Sequence, residues 1–278
     1  MQAKRKHTSR KDFTVSGPGY DAKALSSPCT THDRAPVPNP LGSAMAAVTA
    51  PPPPFPLPTR RVVRRALRIL GRVAIGYLAL WATGALGILA VSHWVGEETP
   101  APPGTRTVQG VHHFEPVDSQ GRLWRGAAPS PAGYRALAGL GITTVVDLRA
   151  EDLSAAQLAE PAKAGLNVVR LPIRDGQTPT AKQVQRFLDV VASSSGPVFV
   201  HCGAGVGRTG TMAAAYLVQA EKQSPSAAVR RNLAVGPPSI EQIYYGLSLG
   251  REKAEQPPLA VVAVSRLVDA PRRMWSWI

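Results

Sequence analysis

The sequence predicts an α/β protein with a mostly parallel central sheet flanked by helices, preceded by a single transmembrane helix. Between residues 110 and 256, short β-branched runs alternate with helical patterns of apolar residues, which is typical of a parallel sheet covered on both faces. A charge-free apolar run occupies residues 73–95. A glycine-rich segment at residues 203–207 joins a short strand to an apolar helix, as at the ligand-binding edge of such sheets.

The N-terminal arm, residues 1–60, is rich in Pro, Ser, Thr and basic residues. Such a composition buries little apolar surface, so we predict that the arm is disordered. Residues 1–72, which include the arm and the basic segment after it, carry most of the charge imbalance of a chain with 32 Lys plus Arg and 18 Asp plus Glu. No basic stripe interleaved with aromatic residues follows in the rest of the chain, so the charge does not indicate nucleic-acid binding.

The apolar run at residues 73–95 follows a basic flank, and together they form the predicted segment 61–96. As a helix the run would measure about 34 Å, enough for a bilayer core of roughly 30 Å. A cleaved signal peptide is the alternative, but its apolar region usually has only about 7–15 residues. Three aromatic residues are suited to the two membrane interfaces: Tyr77, Trp81 and Trp94.

The charges on either side of this run predict its orientation. Six arginines lie between residues 60 and 72, whereas Glu97 and Glu98 follow the run directly. Because basic flanks stay on the cytoplasmic side, we expect the N-terminus in the cytoplasm and the following domain outside it.

A linker at residues 97–109 leads to a predicted catalytic domain at residues 110–256. Its expected elements follow in order: a hairpin of strands 111–117 and 122–124, a helix at 131–137, a strand at 143–148, a helix at 154–164, a strand at 167–171, a helix from Thr180 with Gln183 in a capping box, a strand at 196–200, and helices at 211–218, 227–233 and 240–249. The tail at residues 257–278 begins with two prolines and combines apolar residues with Arg and Trp. It either lies on a membrane surface or packs as a plain C-terminal helix.

Residues 201–210, with the sequence HCGAGVGRTG, carry the chemistry. Backbone N–H groups at a strand-to-helix turn, together with the helix N-terminus, attract an anion. The same positive potential favours the thiolate of Cys202, and the planar guanidinium of Arg208 can bind two phosphate oxygens. A thiolate beside a bound phosphate predicts a phosphocysteine intermediate. The predicted phosphate-binding residues are Gly203, Ala204, Gly205, Val206, Gly207 and Arg208.

This run resembles the signature of the cysteine-dependent protein tyrosine phosphatase superfamily, which is His-Cys, five residues, Arg-Ser/Thr-Gly. The match extends from His201 to Gly210. The Trp-Pro-Asp of the classical tyrosine phosphatases is absent, so the chain looks like the dual-specificity and related bacterial branch. The resemblance implies the tyrosine/dual-specificity phosphatase-like fold. It also implies that Thr209 helps the sulfur to leave and that His201 orients the loop rather than acting as a base.

A general acid must protonate the leaving oxygen, and in this superfamily it is an Asp upstream of the cysteine. The candidate is Asp175, which comes 27 residues before Cys202 and just after a predicted strand. The alternative is that Asp175 only terminates that strand. Gln242 could orient the hydrolytic water, or it could be a helix-surface residue. Structural ion pairs, rather than catalysis, are expected for Arg125, Asp147 and Arg149.

The favoured function is a membrane-anchored phosphotyrosine or dual-specificity protein phosphatase. Phosphatase action on a phospholipid or inositol phosphate is the alternative, although residues 203–207 lack the extra basic side chains that suit highly phosphorylated inositides. An inactive phosphoprotein-binding module is disfavoured because Cys202, Arg208 and Asp175 are all present. The expected partners are a phosphorylated protein or phospholipid and a membrane, through residues 73–95. No cofactor, metal or nucleic acid is expected.

Overall fold

A computed structural model of the chain describes residues 59–250 and 255–275, with side chains up to residue 270. The predicted disordered arm at residues 1–60 therefore lies almost wholly outside the described residues. The described part begins with helix α1 (Arg60–Glu98), which contains both the basic flank and the predicted span. By length and composition α1 could cross a bilayer: the mean hydropathy of its most apolar window is 1.8, and none of that window is buried.

Five strands and seven further helices follow α1 in the described residues. They are β1 (Glu115–Pro116), β2 (Leu123–Gly126), α2 (Pro131–Gly139), β3 (Thr144–Arg149), α3 (Ala155–Lys163), β4 (Asn167–Ile173), α4 (Ala181–Ser193), β5 (Val198–His201), α5 (Gly207–Gln219), α6 (Pro225–Val235), α7 (Ile240–Ser248) and α8 (Leu259–Trp275).

The strands form one sheet in the order β1-β2-β5-β3-β4. Strands β2, β5, β3 and β4 pair in parallel, while β1 pairs with β2 in the antiparallel sense. The predicted α/β fold is confirmed, with a mixed sheet in which one short strand runs against the others. Strand β5 lies at the centre, so the segment that follows it emerges in the middle of the carboxyl edge of the parallel strands.

Helices cover both faces of this sheet, as the alternation of side chains along β5 shows. Val198 and Val200 belong to a core that also contains Phe187 of α4 and Met212 of α5. Phe199, between them, belongs to a second core on the side of α2. Because successive strand side chains point to opposite faces, a strand buried in this way on both faces is mainly apolar, and in β5 only the last residue, His201, is polar.

The start of the domain differs from the sequence prediction. Strand β1 has two residues, whereas a strand at residues 111–117 was expected. His113 has a φ of 54°, a conformation that a strand cannot contain, and Val111 forms an isolated bridge with Val108. The chain therefore turns before β1.

The predicted capping box at Thr180 is confirmed. Thr180 is the N-cap residue, and helix α4 begins at the next residue, Ala181.

Helix α8 packs against both α7 and α1. The amide of Glu241 donates to Ser265 Oγ at 3.3 Å, which ties α8 to the first turn of α7. Tyr77 Oη donates to the Leu267 carbonyl at 3.2 Å, and Val268 fills the space beside Gly84 of α1. The tail therefore includes a packed helix, although its Leu259 and Val264 side chains are exposed.

Candidate active site

The phosphate loop (residues 202–208) lies between the end of β5 and the first turn of α5. The N-cap residue of α5, Val206, makes no side-chain hydrogen bond to the helix. The first amides of α5 therefore keep their donor capacity for an anion, and the helix dipole adds positive potential there. Both Cys202 and Arg208 are 3% exposed, so an anion bound between them would be largely desolvated.

The end of β2 holds the carbonyl groups of this loop. The Gly203 carbonyl accepts from the Ala128 amide at 2.9 Å, and the Gly205 carbonyl accepts from Arg125 Nη2 at 2.8 Å. In a trans peptide the next N–H points the opposite way, so the amides of Ala204 and Val206 face away from β2. Gly205 has a φ of +77°, and a Cβ there would overlap the backbone of β2, so only glycine fits.

Two carboxylates surround the guanidinium of Arg208. Glu151 binds it in a bidentate manner, with Oε2 2.9 Å from Nη1 and Oε1 2.7 Å from Nη2. Asp175 Oδ1 lies 3.4 Å from Nε. Burial opposes the charge of Arg208, but its hydrogen bonds to Glu151 and the charges of Cys202 and Asp175 outweigh burial and raise its pKa. Arg208 is therefore a fixed cation at the loop.

Asp175 stands two residues after β4, and the start of α7 holds the segment that carries it. Ser239 Oγ donates to the Gly176 carbonyl at 2.7 Å, and Gln242 Nε2 donates to the Gln177 carbonyl at 3.1 Å. The Asp175 side chain remains 26% exposed. The carboxyl group therefore sits at the opening of the site, where a leaving group would depart.

Gln242 is 2% exposed, so the helix-surface alternative is wrong. Its Oε1 accepts from the Ser239 amide at 2.9 Å in the capping box of α7, and a Cβ on Gly207 would lie 2.6 Å from that oxygen. The side chain is thus packed against the phosphate loop. The predicted role in orienting water remains a prediction.

Two further predicted site residues are fully buried, His201 directly before Cys202 and Thr209 directly after Arg208. His201 Nδ1 lies 3.1 Å from the Cys202 carbonyl, and burial lowers the pKa of His201 to about 4, so the ring is neutral near pH 7. Thr209 is fully buried, and its Oγ1 has no hydrogen-bond partner in the described part of the chain. A neutral histidine and an unused hydroxyl both fit supporting roles around the sulfur.

Two residues of the site were missed at the level of sequence. Glu151 lies in the loop after β3, and its signal was an acid at the carboxyl end of a parallel strand. Asn232 of α6 accepts from Arg125 at 3.1 Å.

The expected ion pair of Asp147 and Arg149 is present, with two contacts of 2.9 and 3.0 Å.

The described groups favour chemistry on an oxyanion. Within residues 59–250 and 255–275, no group of three or more His, Cys, Asp or Glu side chains could hold a metal ion. The site combines backbone donors, a fixed cation, a thiol and a carboxyl group. These groups can bind a phosphate, accept it on sulfur and give a proton to the departing oxygen.

Comparison with known proteins agrees with this chemistry. A family model described as "DSP-PTPase phosphatase fused to NAD+ Kinase" (PTP-NADK) matches residues 103–245. Probable NAD kinase 2, chloroplastic, of Oryza sativa subsp. japonica is 37% identical over 109 residues, which are 36% of this chain and 11% of that protein. The human dual specificity protein phosphatase CDC14C is 33% identical over 102 residues, 34% of this chain and 22% of that protein.

The chain thus spans less than a quarter of the length of these two relatives. Among solved structures, PTPMT1 in complex with PI(5)P has a TM-score of 0.42 and 22% identity, covering 54% of this chain and 97% of that one. The family match covers about half of the chain and includes the phosphate loop, Glu151 and Asp175. The chain therefore belongs to the PTP-NADK family, within the cysteine-dependent protein tyrosine phosphatase superfamily.

Proposed function

We propose that this protein is a membrane-anchored phosphatase that hydrolyses phosphomonoesters through a phosphocysteine intermediate. The convergence of Cys202, Arg208 and Asp175 at the N-terminus of α5 carries the proposal. The Cys202 thiolate attacks phosphorus, and the phosphorus–oxygen bond to the leaving group breaks. Asp175 gives its proton to that oxygen.

In the second step, water attacks the phosphocysteine and gives its proton to the Asp175 carboxylate. The phosphorus–sulfur bond breaks, and inorganic phosphate and the Cys202 thiolate are released. The hydroxyl of Thr209 can donate to the departing sulfur, and Gln242 can orient the water. Arg208 and the loop amides bind the equatorial oxygens throughout, since charge develops there in both transition states.

The proposed substrate is a phosphotyrosine, phosphoserine or phosphothreonine protein. Its similarity to dual specificity protein phosphatases of Homo sapiens and Mus musculus supports this substrate class. The loop at residues 203–207 contains no Lys or Arg, which weighs against highly phosphorylated inositides.

Anchoring through α1 rests on the apolar surface of this helix. Leu78, Leu86, Leu89 and Trp94 are each more than half exposed, on a helix whose most apolar window is not buried. Exposed apolar area on this scale favours transfer into a lipid phase. Because α8 packs on α1 at Gly84, a membrane-inserted α1 would bring α8 to the membrane as well.

A phospholipid monoester is the second candidate, because α6 links the proposed anchor to the phosphate loop. Ser92 Oγ of α1 donates to the Leu233 carbonyl at 2.6 Å. Gly236, which follows α6, lies against Val206 of the loop, where an added Cβ would be 2.9 Å from its side chain. The loop is therefore only a few contacts from the end of the proposed span, near the expected level of lipid headgroups.

The substrate test uses the full chain in lipid vesicles, with Cys202→Ser as the inactive control. Phosphate release is measured from a phosphotyrosine peptide, a phosphothreonine peptide and phosphatidylglycerophosphate. We expect faster Cys202-dependent release from the peptides. Faster release from the lipid would replace the protein substrate by the second candidate.

An alkaline phosphatase reporter of the periplasmic type, fused after Glu97, tests the prediction that the domain after α1 lies outside the cytoplasm. We expect an active fusion in a bacterial host. An inactive, well-expressed fusion would reverse the predicted orientation.

Replacement of Glu151 by glutamine tests whether the bidentate contact with Glu151 positions the Arg208 guanidinium. The amide keeps the size of the side chain but cannot accept both guanidinium N–H groups as a carboxylate does. We expect kcat/KM for an aryl phosphate to fall about tenfold, the effect of losing roughly 1.4 kcal/mol of a charge-assisted contact. The exposed neighbour Asp152 supplies the control, Asp152→Asn, which should keep wild-type kinetics. Equal kinetics in both variants would mean that Arg208 is positioned without Glu151.

A further inference from the structure

Arg125 is a buried cation directly beneath the phosphate loop. It lies on β2, opposite Val200 of β5, and is 3% exposed. Its Nη2 donates to the Gly205 carbonyl at 2.8 Å and is 3.4 Å from the Val206 carbonyl. Two consecutive carbonyls of the loop are thus drawn towards the same guanidinium, on the side away from the anion.

Asn232 connects this guanidinium to the adjacent helices. It lies on α6, is 7% exposed, and its Oδ1 accepts from Arg125 Nη2 at 3.1 Å. A Cβ on Gly210 would overlap Asn232 Oδ1, so the amide is pressed against the first turn of α5. The loop, α5 and α6 therefore share one hydrogen-bonding centre at Arg125.

The charge of Arg125 is only partly balanced. The carboxylate of Glu115 is 3.8 Å from Nε, too long for a hydrogen bond, and Nε has no hydrogen-bond partner among the described residues. Burial raises the pKa of Glu115 even though the charges of Arg125 and Arg231 oppose this. Burial lowers the pKa of Arg125, and the charges of Glu115 and Cys202 act against that effect. Arg125 therefore remains a cation beneath the phosphate loop, opposite Val200, which precedes Cys202 by two residues.

We propose that Arg125 is a positioning residue of the phosphatase reaction, which fixes the carbonyls of the phosphate loop away from the anion and favours the Cys202 thiolate. With the Gly205 and Val206 carbonyls held, the amides of Val206 and Gly207 must point to the phosphate. The charged or titratable groups around Arg125 and Cys202 are Glu115 on β1, His113 before it, Asp175 after β4, His201 on β5, Arg208 on α5 and Arg231 on α6.

The test compares full-length wild type with Arg125→Met and Arg125→Lys, and uses Arg122→Met as the matched control. Arg122 adjoins β2 but donates to the Val191 carbonyl, away from the loop. Two quantities are measured: the pH midpoint of iodoacetamide alkylation at Cys202, followed by mass spectrometry, and inhibition by inorganic phosphate.

Arg125→Met should raise the alkylation midpoint by about one pH unit, because a nearby cation is lost. It should also weaken inhibition by phosphate about tenfold, since the loop amides lose their fixed direction. Arg125→Lys should restore the midpoint but not phosphate inhibition, because a single ammonium cannot reproduce the fork of a guanidinium. The control should match wild type in both quantities.

A wild-type midpoint and wild-type phosphate inhibition in folded Arg125→Met would overturn the proposal and leave Arg125 a packing residue. Should that variant fail to fold, Glu115→Gln tests the effect of the Arg125 charge on Cys202 while Arg125 itself stays in place. Loss of the partial counter-charge should lower the alkylation midpoint, and an unchanged or raised midpoint would also overturn the proposal. Neither measurement depends on which phosphomonoester is the substrate.

Discussion

Replacement of Cys202 by serine should reduce phosphate-ester turnover by roughly 10⁴-fold or more while leaving phosphate-ester binding intact. A serine hydroxyl needs a general base, whereas a thiolate needs none. The adjacent histidine is poorly placed to supply one, because both of its ring nitrogens face other groups: Nδ1 of His201 lies 3.1 Å from the Cys202 carbonyl, and Nε2 lies 3.4 Å from the Tyr134 hydroxyl. The nearly isosteric hydroxyl leaves Arg208 and the loop amides in place, so the anion should still bind.

The measurement is steady-state release of inorganic phosphate, together with calorimetric binding of an aryl phosphate to the variant. Cys29→Ser is the matched control, since Cys29 lies in the N-terminal arm, outside the described residues, and should not affect turnover. A Cys202→Ser protein that retains a tenth of the wild-type rate would contradict the covalent mechanism. Loss of both turnover and binding, with a wild-type thermal transition, would instead assign Cys202 to anion binding alone.

The phosphate loop could be predicted from sequence because all of its parts are contiguous. The strand, the glycines, the cysteine and the helix N-terminus lie within one run of residues, so local patterning determines their arrangement. Asp175 was predicted because the resemblance implies an upstream Asp as general acid, and this one follows a recognisable strand. The central position of β5 then brought the end of β4 and the loop to one edge of the sheet.

The supporting residues could not be predicted in this way. Glu151 is 57 positions from Arg208, and Asn232 is 107 positions from Arg125. A glutamate in a polar loop and an asparagine in a helix have the same local pattern as any solvated residue. Only tertiary packing shows that Glu151 binds the guanidinium of Arg208 and that Asn232 contacts the first turn of α5. The predicted structural ion pair of Arg125 is present, with its Nε 3.8 Å from the Glu115 carboxylate, but its shortest hydrogen bond is to the Gly205 carbonyl of the phosphate loop.

Replacement of Asp175 by asparagine should slow hydrolysis by roughly 10²–10³-fold for an alkyl phosphate and clearly less for p-nitrophenyl phosphate. An alkoxide leaves poorly without a proton, whereas p-nitrophenolate is stable near neutral pH and can leave without one. The amide cannot give up a proton as a carboxylic acid does. Its similar shape should preserve the contact with Arg208, where Asp175 Oδ1 lies 3.4 Å from Nε, so phosphate binding should change little.

The same variant should also show a burst of p-nitrophenol equal to one product per active site. Formation of the phosphocysteine would stay fast with this leaving group, but the attacking water would lack the carboxylate that accepts its proton. Stopped-flow absorbance records the burst, and Asp189→Asn on the exposed side of α4 is the control, expected to match wild type. Equal losses on both substrates, without a burst, would exclude Asp175 as the acid. Glu151 would then be the carboxyl group to test, because it is the other acid in direct contact with Arg208.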